Sequence, residues 1–444
     1  MFTKKDLRKL IIPLIIEQLL AVLVGMVDVI MVAKVGESAV SGVSLVDTLS
    51  LLIIQLLAAL ATGGAVVAAQ YIGAGKKKSA GIAANQLLIC TFLLSIVIAA
   101  IALIFNQKLL SLLFGQIQAE VMDNAVIYFY LCALSYPFLG IYNACAALFR
   151  AMGNSRVSMK ASLLMNGCNV IGNAICIFGL GMGVAGVGIP TLVSRAFAAI
   201  LMLYLIAKPQ NVLHVDFSGR PLFQKDMIAR ILYVGIPNGL ENSMFQVGKI
   251  ILQSLVATLG TATIAGFAVA GNLVTLEYLP GNALGLATIT IIGQCIGAGE
   301  YQQAKKYERL LLRLNYCILA VLCSVIFFTA KPLVGIYNLS SEGTQIAVQL
   351  LLMHTAAMIF WPPAFAIPHA LRAATDVKFT MIISIFSMWV FRIAGSYFLV
   401  VGLKTGVVGI WIAMFADWIV RDIFYLWRFY SNRWLNTAQN KSLI

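Results

Sequence analysis

The sequence Gln70-Tyr71-Ile72-Gly73-Ala74-Gly75 returns almost unchanged as Gln294-Cys295-Ile296-Gly297-Ala298-Gly299, 224 residues further along the chain. The same offset, without a gap, pairs Pro13 with Pro237, Glu17 with Glu241, Gly36 with Gly260 and Ala80 with Ala304. Later in each half, the stretch 148–151 resembles 370–373, and 183–186 resembles 406–409. Glycine and proline are common in membrane helices, but two matched glutamates at one offset are hard to obtain by chance. The repeat therefore predicts a chain built from two similar halves.

The composition around this repeat is that of a membrane protein. The 444 residues are 61% hydrophobic and only 11% charged, with a mean hydropathy of +0.93. A soluble domain carries roughly 25% charged residues, because water must wet its surface. An apolar helix of about twenty residues crosses the hydrocarbon layer. We therefore predict an all-α polytopic membrane protein with transmembrane helices at 10–33, 41–70, 81–105, 122–150, 157–179, 184–207, 228–258, 262–295, 309–330, 345–372, 378–401 and 407–430.

The repeat and the one long polar stretch together predict the domain organisation. Residues 209–227 read as a cytoplasmic linker between an N-lobe (1–208) and a C-lobe (228–444) of six helices each. Six helices return the chain to the same side of the membrane, so the two repeats are parallel and related by a pseudo-two-fold axis along the membrane normal. Two such lobes with a cleft between them suit transport by alternating access.

The chain has a net charge of +14, and its basic residues are distributed as the predicted topology requires. Lys and Arg gather near both ends and in alternate loops, whereas the intervening loops hold only Lys34, Lys108, Lys331 and Lys404. This positive-inside pattern places both termini in the cytoplasm. We expect a multi-pass protein of the plasma (inner) membrane of a prokaryote. We expect no nucleic-acid partner. We also expect no cleavable signal peptide, because Glu17 and Asp28 interrupt the first apolar run.

Carboxylates within the apolar segments are the first candidates for function, because a charge at bilayer depth costs at least about 2.5–3.5 kcal/mol on insertion scales. Asp28 is the strongest of them, and Glu17 lies about 20° away around the same helix. Asn166, Asn169 and Asn173 share one face of the fifth segment, and Thr191 follows in the sixth. Carboxylate, amide and hydroxyl oxygens suit a hard cation. We therefore predict a cation-coupling site from these six residues. The alternatives are that the asparagines only join helices, or that Asp28 only pairs with Arg195 or caps a neighbouring helix.

The seventh segment carries a polar stripe that no lipid-facing surface would tolerate. The stripe lies within about 80° of helical arc and comprises Asn238, Asn242, Gln246, Lys249 and Gln253, with Glu241 at its border. We predict that this face and Glu277 line a substrate cavity; the alternative for Glu241 is a buried ion pair with Lys249. Pro13 and Pro237 are predicted hinges, because proline removes a helical hydrogen bond. The eight cysteines and three histidines, in contrast, show no metal-ligand spacing, and we expect no metal site beyond Na⁺ at Asp28.

Several short motifs occur in a telling order. Pro13 precedes Val27-Asp28 and Val35-Gly36, the Ile-Gly-Ala-Gly turns follow, and then come Leu148-Phe-Arg-Ala-Met-Gly and Arg392-Ile393. In this order and spacing, essentially the whole chain resembles the multidrug and toxic compound extrusion (MATE) family. The resemblance implies twelve helices in two lobes, a central cavity, and export of mainly cationic drugs against inward Na⁺ or H⁺. In the family pattern Asn169 and Thr191 match cation-site positions, but Asn173 stands where Asp is usual. Trp361 stands near the cavity position where some branches carry an acid.

The favoured function is thus a secondary exporter, not an enzyme, with small organic cations or other amphiphilic drugs and the lipid bilayer as partners. We expect a monomer without a cofactor, and no ATP hydrolysis, because the chain has no Walker motif. A flippase of lipid-linked precursors from the same superfamily is an alternative, although only Arg195, Lys249 and Arg392 are available to hold pyrophosphate. A membrane-embedded enzyme would need a convergent constellation of catalytic residues, and a channel would need a pore loop or charge ring. The sequence leaves Na⁺ and H⁺ open as coupling ions.

Overall fold

A computed structural model describes residues 1–115, 118–213, 215 and 223–440 of the chain. Helices dominate these residues, and no strand is assigned within them. The predicted all-α class is therefore confirmed. Contacts divide the chain into two compact units, the N unit (Phe2–Gly239) and the C unit (Leu240–Ile444 with Met1).

The N unit is built from seven helices and the first part of an eighth, within the residues described. They are α1 (Lys4–Ala33), α2 (Glu37–Gly73), α3 (Lys77–Ile104), α4 (Asn106–Phe114), α5 (Ala119–Ala151), α6 (Ser155–Gly179), α7 (Ala185–Ile206) and α8 (Lys225–Ala257). Phe129 and Tyr136 of α5 are fully buried among α2, α3 and α7 side chains. Because α5 packs against all three of these helices, it lies at the centre of the N unit.

The C unit holds the rest of α8 and the remaining helices of the described range. They are α9 (Thr261–Gly297), α10 (Tyr301–Gly335), α11 (Ser341–Ala357), α12 (Trp361–Ala373), α13 (Val377–Gly402), α14 (Val407–Tyr430) and α15 (Arg433–Asn440). Its core is rich in aromatic rings, with Trp361, Trp411 and Trp418 each about 3% exposed. Aromatic side chains bury large areas, so these rings contribute strongly to packing.

One helix that the sequence predicts as continuous is broken in the structure. The segment 345–372 is two helices, α11 and α12, bent by 56° at the break between them. Pro362 and Pro363 stand at the first positions of α12. They have no N–H to continue the α11 hydrogen-bond ladder, and a proline there starts a new helix readily. The short helices α4 and α15 were not predicted.

Length and hydropathy support the predicted membrane embedding. In the described residues nine helices are long and apolar enough to span a bilayer, and the bent α11–α12 pair makes ten. The helices α8 and α14 fall outside this set, since polar and charged side chains lie along them. With these two, the described part contains all twelve long segments that the sequence predicted. Large apolar side chains such as Ile104 and Phe328 are exposed on the outer faces, as a lipid solvent requires.

The predicted lobe boundaries remain a prediction. Residues 214 and 216–222 of the 209–227 linker lie outside the described residues. The boundary between the two compact units falls within the sequence of α8, after Gly239. The first fifteen residues of α8, with Pro237, thus belong to the N unit.

Candidate functional site

The Asp28 carboxylate lies at the meeting of α1 and α6 in the N unit. The side-chain amide of Asn173 donates to Asp28 Oδ1 at 2.9 Å. The Asn169 amide satisfies its neighbours when its nitrogen faces Asp28: it then donates to Oδ1 and Oδ2 at 3.2 and 3.3 Å and accepts from Thr191 Oγ1 at 3.1 Å. Asn173 is fully buried, and Asn169 and Thr191 are nearly so. Asp28, Asn169, Asn173 and Thr191 therefore form one cluster, as the sequence predicted.

A glycine brings the helices of this cluster close enough to meet. Gly172 lies between the two asparagines in sequence, and a Cβ added there would lie 2.7 Å from Pro190 Cβ of α7. Only glycine permits this approach, since any side chain would push α7 away. This close packing brings Thr191, the residue after Pro190, within hydrogen-bond distance of Asn169. The four-residue spacing of Asn169 and Asn173 then aims both amides at α1.

The cluster opens on a cavity of about 260 Å³ within the N unit. Its lining includes Asp28, Asn166, Asn169, Asp47 and Arg195. Tyr128 donates to Asp47 at 3.2 Å, and Arg195 donates to Ser135 at 2.7 Å. No ion pair within 4.0 Å joins Arg195 to either aspartate in the described part of the chain. Asp47 is thus a second carboxylate on the cavity, which sequence analysis had left out of the site although it lies in an apolar segment.

Two predicted members of the site take other positions. Asn166 lines the cavity but donates to Ser162 at 3.3 Å rather than to Asp28. Glu17 accepts from Arg150 at 3.4 Å and from Ser158 at 2.9 Å. It shares a helix face with Asp28, but eleven residues span about 16 Å along the axis. Its prediction as part of the cation site was therefore wrong.

Side chains of neighbouring helices contact α1 both before and after the predicted hinge at Pro13. Because proline has no N–H, the carbonyl of Lys9 loses its helical partner. Ser155 of α6 donates to the carbonyls of Lys9 and Leu10 at 3.2 and 2.6 Å. The Glu17 contacts hold the next turn. Both α1 and α8 run through their prolines as continuous helices, so the hinge role of Pro13 and Pro237 stays a prediction.

In the C unit, Glu241 repeats the arrangement of Glu17 with new partners. Arg372 of α12 donates to its Oε1 at 2.7 Å, and Ser384 of α13 donates to the same oxygen at 2.6 Å. The ion pair that the sequence suggested with Lys249 is therefore wrong. Glu241 is buried against Arg372, which compensates its charge, so the carboxylate is not a free acid on a substrate cavity.

The other residues predicted for the substrate cavity divide into two groups. Asn242 and Gln246 are half-buried and Lys249 is exposed, with its ammonium 5.2 Å from the centroid of the Phe245 ring. In contrast, Glu277 is fully buried, and Trp361 is 3% exposed and stacked on Tyr278 and Phe365. The cavity role predicted for Glu277 and Trp361 is wrong, because both are packed inside the C unit.

A cationic cluster surrounds Phe245, which sequence analysis did not single out. The guanidinium groups of Arg392 and Arg421 lie 5.3 and 5.8 Å from its ring centroid, beside Lys249. Arg421 donates to the fully buried Asp417 at 2.8 Å, and Arg392 lies 3.8 Å from it. The aromatic face and one carboxylate thus stabilise the guanidinium groups.

Comparison with known proteins assigns the chain to a family. The MatE family model matches residues 13–175 and again 237–398. An uncharacterized transporter, YisQ of Bacillus subtilis, is 27% identical, covering 95% of this chain and 93% of its own. A probable multidrug resistance protein, NorM of Thermotoga maritima, is 26% identical, covering 98% and 94%.

Solved structures give the same answer for the fold. A MATE crystal structure in the straight conformation matches with a TM-score of 0.91 and 22% identity over 98% of this chain and 97% of its own. A MOP superfamily transporter from Pyrococcus furiosus matches at 0.90 and 22% identity over 98% and 96%. These matches confirm the predicted twelve-helix transporter fold, and the second MatE match begins 224 residues after the first, at the offset of the sequence repeat. The chain therefore belongs to the MatE family, the multidrug and toxic compound extrusion transporters.

Proposed function

We propose that this transporter exports small organic cations and other amphiphilic drugs by alternating access, in exchange for Na⁺ or H⁺ that binds at Asp28. The supporting observation is the Asp28 carboxylate, which faces a cavity of about 260 Å³ and is held by amides of α6. A carboxylate is stable at membrane depth when polar groups or a cation surround it. Relatives named as probable multidrug resistance proteins support the substrate class. We further propose a monomer in a plasma membrane with both termini in the cytoplasm.

Purified protein in liposomes tests the coupling. Gradients of Na⁺ and of H⁺ are imposed separately, and uptake of a fluorescent cationic drug is followed. We expect the Na⁺ gradient, the H⁺ gradient or each of them separately to drive the drug against its own concentration gradient. Equal drug movement with and without both gradients would contradict ion-coupled export.

The substitution Asn173→Asp is expected to strengthen Na⁺ binding about tenfold, a gain of about 1.4 kcal/mol. Asn173 Nδ2 lies 2.9 Å from Asp28 Oδ1, so the new carboxylate adds a second hard anionic ligand beside the first. Na⁺-dependent release of bound drug, measured at several pH values, reports the affinity. Protons compete for the same carboxylates, so the gain should shrink as the pH falls.

The matched control is Asn166→Asp, which adds a carboxylate to the same cavity but bonds Ser162 instead of Asp28. Its effect on Na⁺ affinity should be smaller. If Na⁺ changes drug release in neither variant nor the parent at any pH, the cluster is not a sodium site.

The substitution Asp47→Asn is expected to weaken binding of a cationic drug about tenfold while leaving a neutral drug of similar size nearly unchanged. Asp47 lines the cavity and forms no ion pair within 4.0 Å in the described residues, and opposite charges attract strongly away from bulk water. Equilibrium binding of the two drugs to purified protein measures the difference. Equal losses for both drugs would assign Asp47 a structural role.

A further inference from the structure

Glu277 is a charged side chain in the C unit that the proposed Asp28 mechanism does not use. It belongs to α9 and is 0% exposed. Both of its oxygens are in hydrogen bonds with the last turn of α11: Oε2 lies 2.5 Å from His354 Nδ1, and Oε1 accepts from Thr355 Oγ1 at 2.7 Å. A carboxyl group and an imidazole in such contact can transfer a proton from one to the other.

Aromatic rings surround this pair. The His354 ring meets the edges or faces of Trp411 and Trp418 at centroid distances of 5.4 and 5.3 Å, and Phe415 lies at 6.4 Å. Such a shell excludes water and makes a net charge on the pair costly.

Thr355 lets the site accept one proton more without losing a hydrogen bond. Its hydroxyl lies 2.7 Å from Glu277 Oε1 and 2.8 Å from the carbonyl oxygen of Leu351. A hydroxyl has one hydrogen and can also accept. Against a carboxylate, Thr355 donates to Oε1; against a carboxylic acid, it donates to Leu351 and accepts from the Oε1 hydroxyl. His354 donates its Nδ1 hydrogen to Oε2 in both states.

Other titratable groups lie on the helices packed around the pair, but among the residues that the structure describes none bonds to it. Cys323 of α10 has a thiol close enough to Glu277 for the two groups to interact electrostatically. On α14, Asp417 pairs with Arg421 and with Arg392 of α13. His369 of α12 contacts the carbonyl of Phe365 at 2.7 Å. A proton change at Glu277 is thus felt mainly by His354 and Thr355.

From this geometry we infer that Glu277, with His354 and Thr355, is a proton-binding site in the C unit, separate from Asp28. Its position connects it to the break between α11 and α12. The pair holds the last turn of α11, and one turn further along α9 Gly281 receives the ring of Trp361, the first residue of α12. A single helix therefore contacts both sides of the 56° bend. The proton-binding site thus lies where α9 contacts the α11 side of that bend.

Infrared difference spectroscopy of the purified full chain in lipid nanodiscs tests the site directly, without transport. As the pH is lowered, wild type should gain the carbonyl band of a buried carboxylic acid. Glu277→Gln should lose this band, and Glu277→Asp, which shortens the side chain away from Thr355, should shift it. Size-exclusion elution shows that each variant is folded, and the Asp variant serves if the Gln variant does not fold.

Three variants are controls for this assignment. Glu308→Gln removes a buried acid of α10 whose oxygens have no hydrogen-bond partner in the described residues. His369→Gln removes the other described histidine of the C unit, and Asp28→Asn removes the proposed coupling acid. All three should keep the Glu277 band. A band that is identical in wild type and both Glu277 variants, or is lost only in a control, overturns the proposal while leaving the Asp28 mechanism to its own transport test.

Discussion

Replacing Asp28 by Asn is expected to reduce gradient-driven drug efflux to the level of cells without the transporter. The substitution keeps the shape of the side chain and its contact with Asn173, but removes the formal charge that Na⁺ or H⁺ neutralises in the proposed mechanism. Asn169 and Thr191 remain, yet neutral oxygens alone bind a cation weakly. Without ion binding, the gradient cannot bias one conformation of the protein over another, because a ligand shifts an equilibrium only by its differential affinity.

The measurement is drug efflux from cells that contain equal amounts of membrane-inserted wild type and variant. Asp123→Asn is the matched control, because Asp123 is an exposed aspartate near the start of α5, away from the cavity lining. Efflux by Asp123→Asn should equal wild type. Near-normal efflux by Asp28→Asn would remove Asp28 from the coupling mechanism.

The substitution Arg372→Met is expected to destabilise the C unit by about 3–5 kcal/mol, since it leaves Glu241 buried as an unpaired charge. Replacing both partners, as Glu241→Gln with Arg372→Met, should recover most of this loss. The reason is that an unpaired buried charge costs more than a neutral side chain of similar size. Thermal unfolding in detergent, followed by the fluorescence of a thiol-reactive dye, measures the order of stability of wild type and the two variants.

The related pair in the N unit provides the comparison. Arg150 lies 3.4 Å from Glu17 and its side chain is 17% exposed, against 2.7 Å and 9% for Arg372. Arg150→Met should therefore lower the unfolding temperature less than Arg372→Met does. An unfolding temperature for Arg372→Met equal to that of wild type would show that the ion pair adds nothing to stability.

The sequence by itself determined the class of fold, because in lipid every backbone group must bond within its own helix and only long apolar segments suffice. It also determined the Asp28 cluster. Asn169 and Asn173 lie one turn apart, so helical periodicity alone places them on one face. The aspartate of α1 is one of few charges in the apolar segments of the N-terminal half, which made it the natural partner of that face.

Only the tertiary structure decided the partners of the other carboxylates. Glu241 pairs with Arg372, 131 residues away, and Glu277 contacts His354, 77 residues away. Helical periodicity reports which residues share a face, but not which face of another helix they meet. Periodicity also does not report which groups lie at the same depth along the helix axis. Glu17 therefore shares a face of α1 with Asp28 but bonds to Arg150 instead. Buried polar groups take whichever partner the packing of apolar surfaces brings within 3 Å or so, and that packing is a property of the whole fold.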